Sequence, residues 1–240
     1  MPKLITIKNP KSPISEAYRG IRTSIQFSDL DKGMKVITVT SSKQNEGKTT
    51  VITNLATTFA NLDKKVLVID GDLRNPGVHR MFGISNLHGL TDVLVDNTTF
   101  VDCVNCTDIK NLHVLTCGVV PPNPSEMLAS QRMKEFIENL KDNYDYIFID
   151  APPIGIVTDA GVISSYSDGC ILVIGANETD IETAKLAKER LDSVGAKIIG
   201  TVLNKFAVKT NGHDYYAYYY QGRKSKKSNR KMNKKEKSMA

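Results

Sequence analysis

Short apolar runs punctuate the chain, and longer stretches of helical pattern lie between them. Val36 to Val39, Val66 to Ile69, Leu112 to Thr116, Tyr146 to Ile149, Cys170 to Gly175 and Lys197 to Leu203 are apolar at most positions. Runs of this kind suit strands buried on both faces of a parallel sheet. Helices are expected over Ser15 to Phe27, from the 41–50 loop through the amphipathic stretch Val51 to Leu62, over 131 to 141, from near Asp159, and from Asp180 to Val194. Pro121 to Glu126 reads as a loop ending in a helix cap at Ser125 or a neighbour, and residues 84 to 111 are less regular. Strand and helix in alternation predict an α/β fold: a doubly wound, mainly parallel sheet with right-handed crossovers. Three segments are expected: a helical N-terminus (1–33), a central domain (34–207) and a C-terminal tail (208–240).

Chemistry concentrates where the apolar runs end. Ser41-Ser42-Lys43-Gln44-Asn45-Glu46-Gly47-Lys48-Thr49-Thr50 joins a predicted strand to a predicted helix. That is the context of a phosphate-binding P-loop, in which helix N-terminal N–H groups and a lysine hold nucleotide phosphates and a hydroxyl meets magnesium. Ser42 stands where the pattern has its first glycine. Two other runs end in acid, Val66 to Ile69 in Asp70-Gly71-Asp72 and Tyr146 to Ile149 in Asp150-Ala151-Pro152-Pro153. Ligands of parallel sheets collect outside the carboxyl ends of strands, so both acidic pairs point at the phosphate site.

Composition narrows the classes. With 240 residues, 40% of them hydrophobic and 24% charged, the chain can bury a full core. No apolar run approaches the roughly 18 residues a membrane span requires, and Met1 to Leu4 lacks a signal-peptide core, so a cytosolic protein with reduced thiols is expected. Cys103 and Cys106 form a C-x-x-C pair without zinc or thioredoxin context, and His79, His88, His113 and His213 are scattered. The net charge of +6 is uneven: nine Lys/Arg against one Glu after Gly222 carry +8, leaving the preceding residues at −2. Such a tail is expected to be disordered and to suit an anionic membrane surface or an acidic neighbour. Nucleic acid is the less expected partner, because the basic charge is confined to the tail.

Five of the nine tyrosines fall within Tyr215-Tyr216-Ala217-Tyr218-Tyr219-Tyr220. A buried strand would not set five phenols side by side, since each hydroxyl needs a partner, and accessible tyrosines beside a nucleotide site suggest phosphoacceptors. With these residues the chain resembles the bacterial tyrosine kinases of capsule and exopolysaccharide synthesis. Glu16, Arg19 and Arg22 are similar to that family's E-x-x-R-x-x-R helix, Ser42 to Thr50 to its Walker A, and Asp70, Asp72 and Arg74 to its D-x-D-x-R motif. Pro121 to Glu126 resembles its P-P-N-P-S-E loop, Asp150 to Pro153 its Walker B, and Tyr215 to Tyr220 its tyrosine cluster. Asn45 stands where the family usually has glycine, which predicts weaker rather than lost nucleotide binding, because asparagine tolerates left-handed backbone angles.

The resemblance implies a P-loop NTPase of the MinD/ParA-like type that uses ATP and Mg2+. It implies nucleotide contacts from Ser42, Asn45, Glu46, Gly47, Lys48, Thr49, Thr50, Arg74 and Asn204, with Asn204 reading the adenine edge. Lys48, Asp70, Asp72 and Asp150 are the expected catalytic groups, Asp70 as base and Asp72 supporting Lys48, although these two could exchange roles. Thr49, Asp70 and Asp150 are expected at the metal, partly through water. Tyr215, Tyr216, Tyr218, Tyr219 and Tyr220 would be phosphoacceptors, and Glu16, Arg19 and Arg22 the interface of a ring-shaped homo-oligomer. A separate transmembrane activator of the polysaccharide co-polymerase type and a cognate protein-tyrosine phosphatase complete the implied partners. The activator would recruit the cytoplasmic chain to the inner face of the membrane. MinD/ParA-type switch ATPases remain an alternative, because they share the P-loop and both aspartate strands and have a signature lysine at the position of Lys43. Lys43 itself is expected to be a solvated loop residue.

Overall fold

A computed structural model describes residues 3–29, 33–95 and 98–206. Seven strands form one sheet in the order β3-β4-β2-β5-β1-β6-β7. They are β1 (Val36–Ser41), β2 (Val66–Asp70), β3 (Asn105–Cys106), β4 (Leu112–Leu115), β5 (Tyr146–Asp150), β6 (Gly169–Gly175) and β7 (Ile198–Asn204). All pairings are parallel except the two-residue edge strand β3, which runs against β4. The helices are α1 (Ile5–Lys8), α2 (Pro13–Ser28), α3 (Lys48–Ala60), α4 (Val78–Phe82), α5 (Leu90–Val95), α6 (Phe100–Cys103), α7 (Pro124–Ala129), α8 (Gln131–Leu140), α9 (Asp159–Ser165) and α10 (Ile181–Ser193).

Alternate residues of each strand feed two cores, as the period-two pleat requires. Leu67, Ile69, Ile147 and Ile149 pack with α8, α9 and α10, whereas Val66, Val68, Tyr146 and Phe148 pack with α3 and the N-terminal helices. Both faces are covered, which explains why these strands read as unbroken apolar runs. The described residues through Lys205 form one unit, in which β5 is the central strand and β1 lies between β5 and β6. Loops after β1, β2 and β5 therefore meet over the carboxyl edge of the sheet, which is where sheets of this kind bind ligands.

Several local features differ from the expectations. The Val51 to Leu62 stretch is not amphipathic in place, because every residue from Val51 to Ala60 is buried. α2 lies across the outer face of α3, placing Tyr18 and Ile25 in the same core as Phe59. The buried hydroxyls of Thr53, Thr57 and Thr58 donate back to carbonyls one turn earlier, and Asn54 Oδ1 accepts from Thr6. These buried polar side chains of α3 are thus satisfied, as an interior requires. α2 begins two residues before its expected start, with Ser12 as its cap accepting from the Ser15 N–H and Pro13 at the first helical position. The cap expected at Ser125 or a neighbour falls on Asn123, which precedes α7 without a side-chain hydrogen bond to it.

The described residues include no helix long and apolar enough to cross a membrane. The tyrosine cluster and the basic tail lie outside the described residues.

Candidate active site

The loop between β1 and α3 bends through two left-handed positions, Asn45 at φ 62° and Gly47 at φ 90°. Successive left- and right-handed residues turn backbone N–H groups toward one concavity, the geometry of an anion nest. Gly47 is the N-cap of α3 and supplies no side-chain acceptor, so the first N–H groups of a 13-residue helix are left for a ligand. A Cβ on Gly47 would sit 2.3 Å from Asn204 Nδ2, which itself donates to the Glu46 carbonyl at 2.8 Å. A Cβ on Gly155 would likewise meet the Ser42 carbonyl at 2.1 Å, so the loop after β5 lies directly against the P-loop.

Asn45 carries a test of its own. Asn45→Gly should match or slightly exceed the parent stability, whereas Asn45→Val should lose about 1–2 kcal/mol, because a Cβ-branched residue pays the full left-handed penalty. Denaturant melts decide this: equal stability of the two variants would mean that the loop does not hold this angle.

Glu46 turns inward rather than toward a nucleotide. Its carboxylate accepts from Ser42 Oγ, the Lys43 N–H, the Gly175 N–H and Thr179 Oγ1. Burial pushes its pKa up, but these donors outweigh burial and the net shift is downward. Glu46 therefore braces the loop against the end of β6. Lys43, expected to be solvated, pairs with Asp180 at the start of α10 across 3.0 Å.

Three carboxylates surround Lys48. Its Nζ lies 2.8 Å from Asp72 Oδ2 and 3.5 Å from Asp150 Oδ1. Burial lowers the lysine pKa, but the charges of Asp150 and Asp72 overcome that and the net shift is upward. Asp72 is fully engaged, since its Oδ1 also accepts from the Asn75 N–H. Asp70 accepts from the Gly77 and Val78 N–H groups with Oδ2 alone. Burial, followed by the neighbouring Asp150 charge, raises the Asp70 pKa to about 8. Asp150 Oδ2 accepts from Thr49 Oγ1 at 2.6 Å, and burial drives its pKa up as well.

Asp70 Oδ1 and Asp150 Oδ1 are buried without hydrogen-bond partners. Asp70 Oδ1 has no partner, Asp150 Oδ1 has only the Lys48 charge at 3.5 Å, and carboxylate oxygens of this kind beside a threonine hydroxyl are the donor set a small hard cation selects, so Thr49, Asp70 and Asp150 fit Mg2+. Thr50 follows Thr49 in the first turn of α3, with its carbonyl accepting from Asn54 Nδ2.

Arg74, expected at phosphate or substrate, is held elsewhere. Its Nε donates to Asp159 Oδ2 at 2.7 Å and its Nη2 to Ser125 Oγ at 2.8 Å. Ser125 Oγ in turn donates to Asp159 Oδ1 at 2.6 Å. Asp159 is fully buried, and although burial raises its pKa, Arg74 and Ser125 bring it below the ordinary carboxylate value. The sequence offered no sign of this, because an acid in the first turn of a helix is ordinarily a solvated one.

The N-terminal triplet is divided. Glu16 and Arg19 form an exposed pair at 2.7 Å, but Arg22 leans onto α3 and donates to the Thr58 carbonyl at 3.1 Å. The three do not form one outward row, because the covering of α3 by α2 draws Arg22 inward.

The family described as AAA domain matches residues 34–196. The chain is 42% identical over 209 residues to the putative tyrosine-protein kinase CapB of Staphylococcus aureus, covering 87% of this chain and 92% of that protein. It is 43% identical over 216 residues to the tyrosine-protein kinase YwqD of Bacillus subtilis, covering 90% of each. Among solved structures, the chimerical protein CapA2B2 matches at TM-score 0.83 and 38% identity, over 85% of this chain and 90% of that one. The septum site-determining protein MinD of Pyrococcus horikoshii, complexed with Mg-ADP, matches at TM-score 0.62 and 28% identity over 73% and 72%. The MinD match covers less of the chain than the CapA2B2 match, 73% against 85%. By its sequence over nearly its whole length and by its fold, the chain belongs to the bacterial tyrosine-protein kinase family.

Proposed function

We propose that the chain is a protein-tyrosine kinase that uses Mg-ATP to phosphorylate its own Tyr215, Tyr216, Tyr218, Tyr219 and Tyr220, and that it serves capsule or exopolysaccharide synthesis. The observation that carries this reading is the buried cluster of Lys48 with Asp70, Asp72 and Asp150 at the mouth of a P-loop. Phosphoryl transfer needs little covalent chemistry from the protein, which must position the reactants and neutralise charge. The α3 N–H groups and Lys48 meet the phosphates, and Asn204, one strand beyond β6, faces the base. Thr49 and Asp150 would hold magnesium, with Asp70 reaching it only through water, and the ion would supply charge neutralisation.

During transfer the phenol oxygen forms a bond to the γ-phosphorus, the bond from that phosphorus to the bridging oxygen breaks, and the phenol proton must leave. A phenol has a pKa near 10, so a carboxylate acceptor is required. Asp70 suits that role better than Asp72: both Asp72 oxygens are occupied, whereas Asp70 keeps one free, and the charge of bound magnesium would displace the proton that burial favours on it.

The wider setting follows from the same reading. The chain assembles into a ring through its N-terminal helix region, is drawn from the cytoplasm to the membrane by a separate transmembrane activator, and is reset by a tyrosine phosphatase. One experiment tests the core of it. Purified protein with ATP and Mg2+, with and without a candidate activator's cytosolic segment, is probed for phosphotyrosine beside a variant carrying phenylalanine at all five positions from Tyr215 to Tyr220. The parent should label, and the variant should lose most of the label while binding ADP normally. A parent that hydrolyses ATP yet makes no phosphotyrosine would favour the switch ATPase.

A further inference from the structure

We infer that Asp159, Arg74 and Ser125 form a positioning device for the acceptor tyrosine, an inference that rests on the kinase reading above. Asp159 is a buried carboxylate joined to Arg74 through two N–H groups and to Ser125 through its hydroxyl. Burying such a charge costs several kcal/mol, and pairing it with the part-exposed Arg74 adds little net stability over apolar packing. What this one does is geometric. It fastens three segments that follow three different strands: the loop after β2, the 121–126 loop after β4, and the start of α9 after β5. Arg74 is two residues from Asp72, which holds Lys48, so the fastening is tied directly to the phosphate site.

Sheet order assigns it a side. The proposed base contact, Asn204, ends β7, and Glu46 anchors the P-loop to the end of β6. Moving along the carboxyl edge come β1 with the P-loop, β5 with Asp150, β2 with Asp70, and finally β4. A nucleotide laid from Asn204 toward Asp150 and Asp70 therefore points its γ-phosphate toward β2 and β4. The nucleophile in phosphoryl transfer lies in line with and opposite the leaving oxygen, so the tyrosine enters from the β4 side. There the chain presents Val119 and Val120, both exposed, followed by Pro121 and Pro122, whose rings limit backbone freedom. This is an apolar, stiff edge for a phenol ring, and Ser125 at its far end is the point where Arg74 and Asp159 hold it.

Ser125 and Asp159 are positioning residues, so their loss should separate tyrosine transfer from nucleotide binding. In the full chain with Mg-ATP, Ser125→Ala is expected to slow phosphotyrosine formation about ten-fold, within the roughly 10²-fold that a 1 Å misplacement costs. ADP affinity and the slow hydrolysis of ATP by water should stay within about two-fold of the parent, and Ser125→Thr, which keeps the hydroxyl, should restore most of the transfer. Asp159→Asn, which preserves volume and leaves the part-exposed Arg74 to water, is expected to behave like Ser125→Ala. Unchanged transfer in both variants overturns the inference. So does a parallel fall in ADP affinity, hydrolysis and transfer, which would place the cluster at the phosphate site. A parent chain that makes no phosphotyrosine removes the kinase reading itself, a result distinct from either.

Discussion

Lys48→Met is expected to abolish phosphotyrosine formation, a loss of at least about 10²–10³-fold, and to lower the melting temperature at the same time. On the proposed function, the activity loss follows from removing the charge that the P-loop lysine brings to the phosphates. The stability loss is a consequence of tertiary structure: judged from its loop position, Lys48 looks removable without harm to the fold. In place, it neutralises Asp72 and Asp150 from within a site where its own side chain is only 12% exposed. Removing one member of a buried ion pair costs about 3–5 kcal/mol, because the partner charge stays behind. For a chain of this size that is a fall of roughly 10 °C. The deficit must also depend on pH. Without the lysine, Asp150, whose folded-state pKa burial already raises, loses the counter-charge that held it down and rises further, so folding takes up protons. Stability of the variant is then retained at acid pH and lost as pH rises through the raised pKa. Melts at pH 5 and pH 8 should show the larger gap from the parent at pH 8. Retained phosphorylation would sink the site assignment, and a pH-independent gap would sink the charge argument.

Asp70→Asn should do the opposite to stability while still impairing turnover. The folded-state Asp70 pKa is about 8, raised first by burial and then by Asp150, against about 3.9 for an unfolded aspartate. The folded chain holds a proton that the unfolded chain has released over that interval, so this group costs stability progressively as pH rises from about 4 to about 8. Asparagine is neutral throughout. Its carbonyl can still accept from Gly77 and Val78, and its amide replaces the unpartnered Oδ1. The variant should therefore melt a few degrees above the parent at pH 8 and level with it near pH 4. Turnover should fall by about 10²–10⁴-fold, the usual contribution of a positioned base, with ADP affinity little changed. A melting temperature below the parent's at pH 8 would mean that Asp70 is needed in its charged form to hold the fold. Equal losses of affinity and turnover would make it a binding rather than a proton-transfer residue.

The readable parts of the chain were those where local pattern and tertiary position coincide. Val66 to Ile69 and Tyr146 to Ile149 had to be buried strands, because nothing polar interrupts them, and their carboxyl ends had to carry the acids to one edge of a parallel sheet. The P-loop was legible for the same reason: Gly47, Lys48 and Thr49 act through backbone angle, charge and hydroxyl within a few residues of one another. Asn45 belongs with them, since its tolerance of left-handed angles is local and the loop uses it at φ 62°.

Sequence alone thus determined the sheet, the strand ends that make the candidate site and the residue types gathered there, because each depends on spacing along the chain. Tertiary structure alone decided which charges pair. Glu46 sits in the P-loop yet turns to Gly175 and Thr179, 129 and 133 residues away. Arg74 finds Asp159 across 85 residues and Ser125 across 51, and Arg22 reaches the Thr58 carbonyl across 36. A carboxylate or guanidinium looks the same in a sequence whether it faces water or a partner. Its role is set by the desolvation and the counter-charge it meets once distant segments pack together, and neither quantity is written in its neighbours.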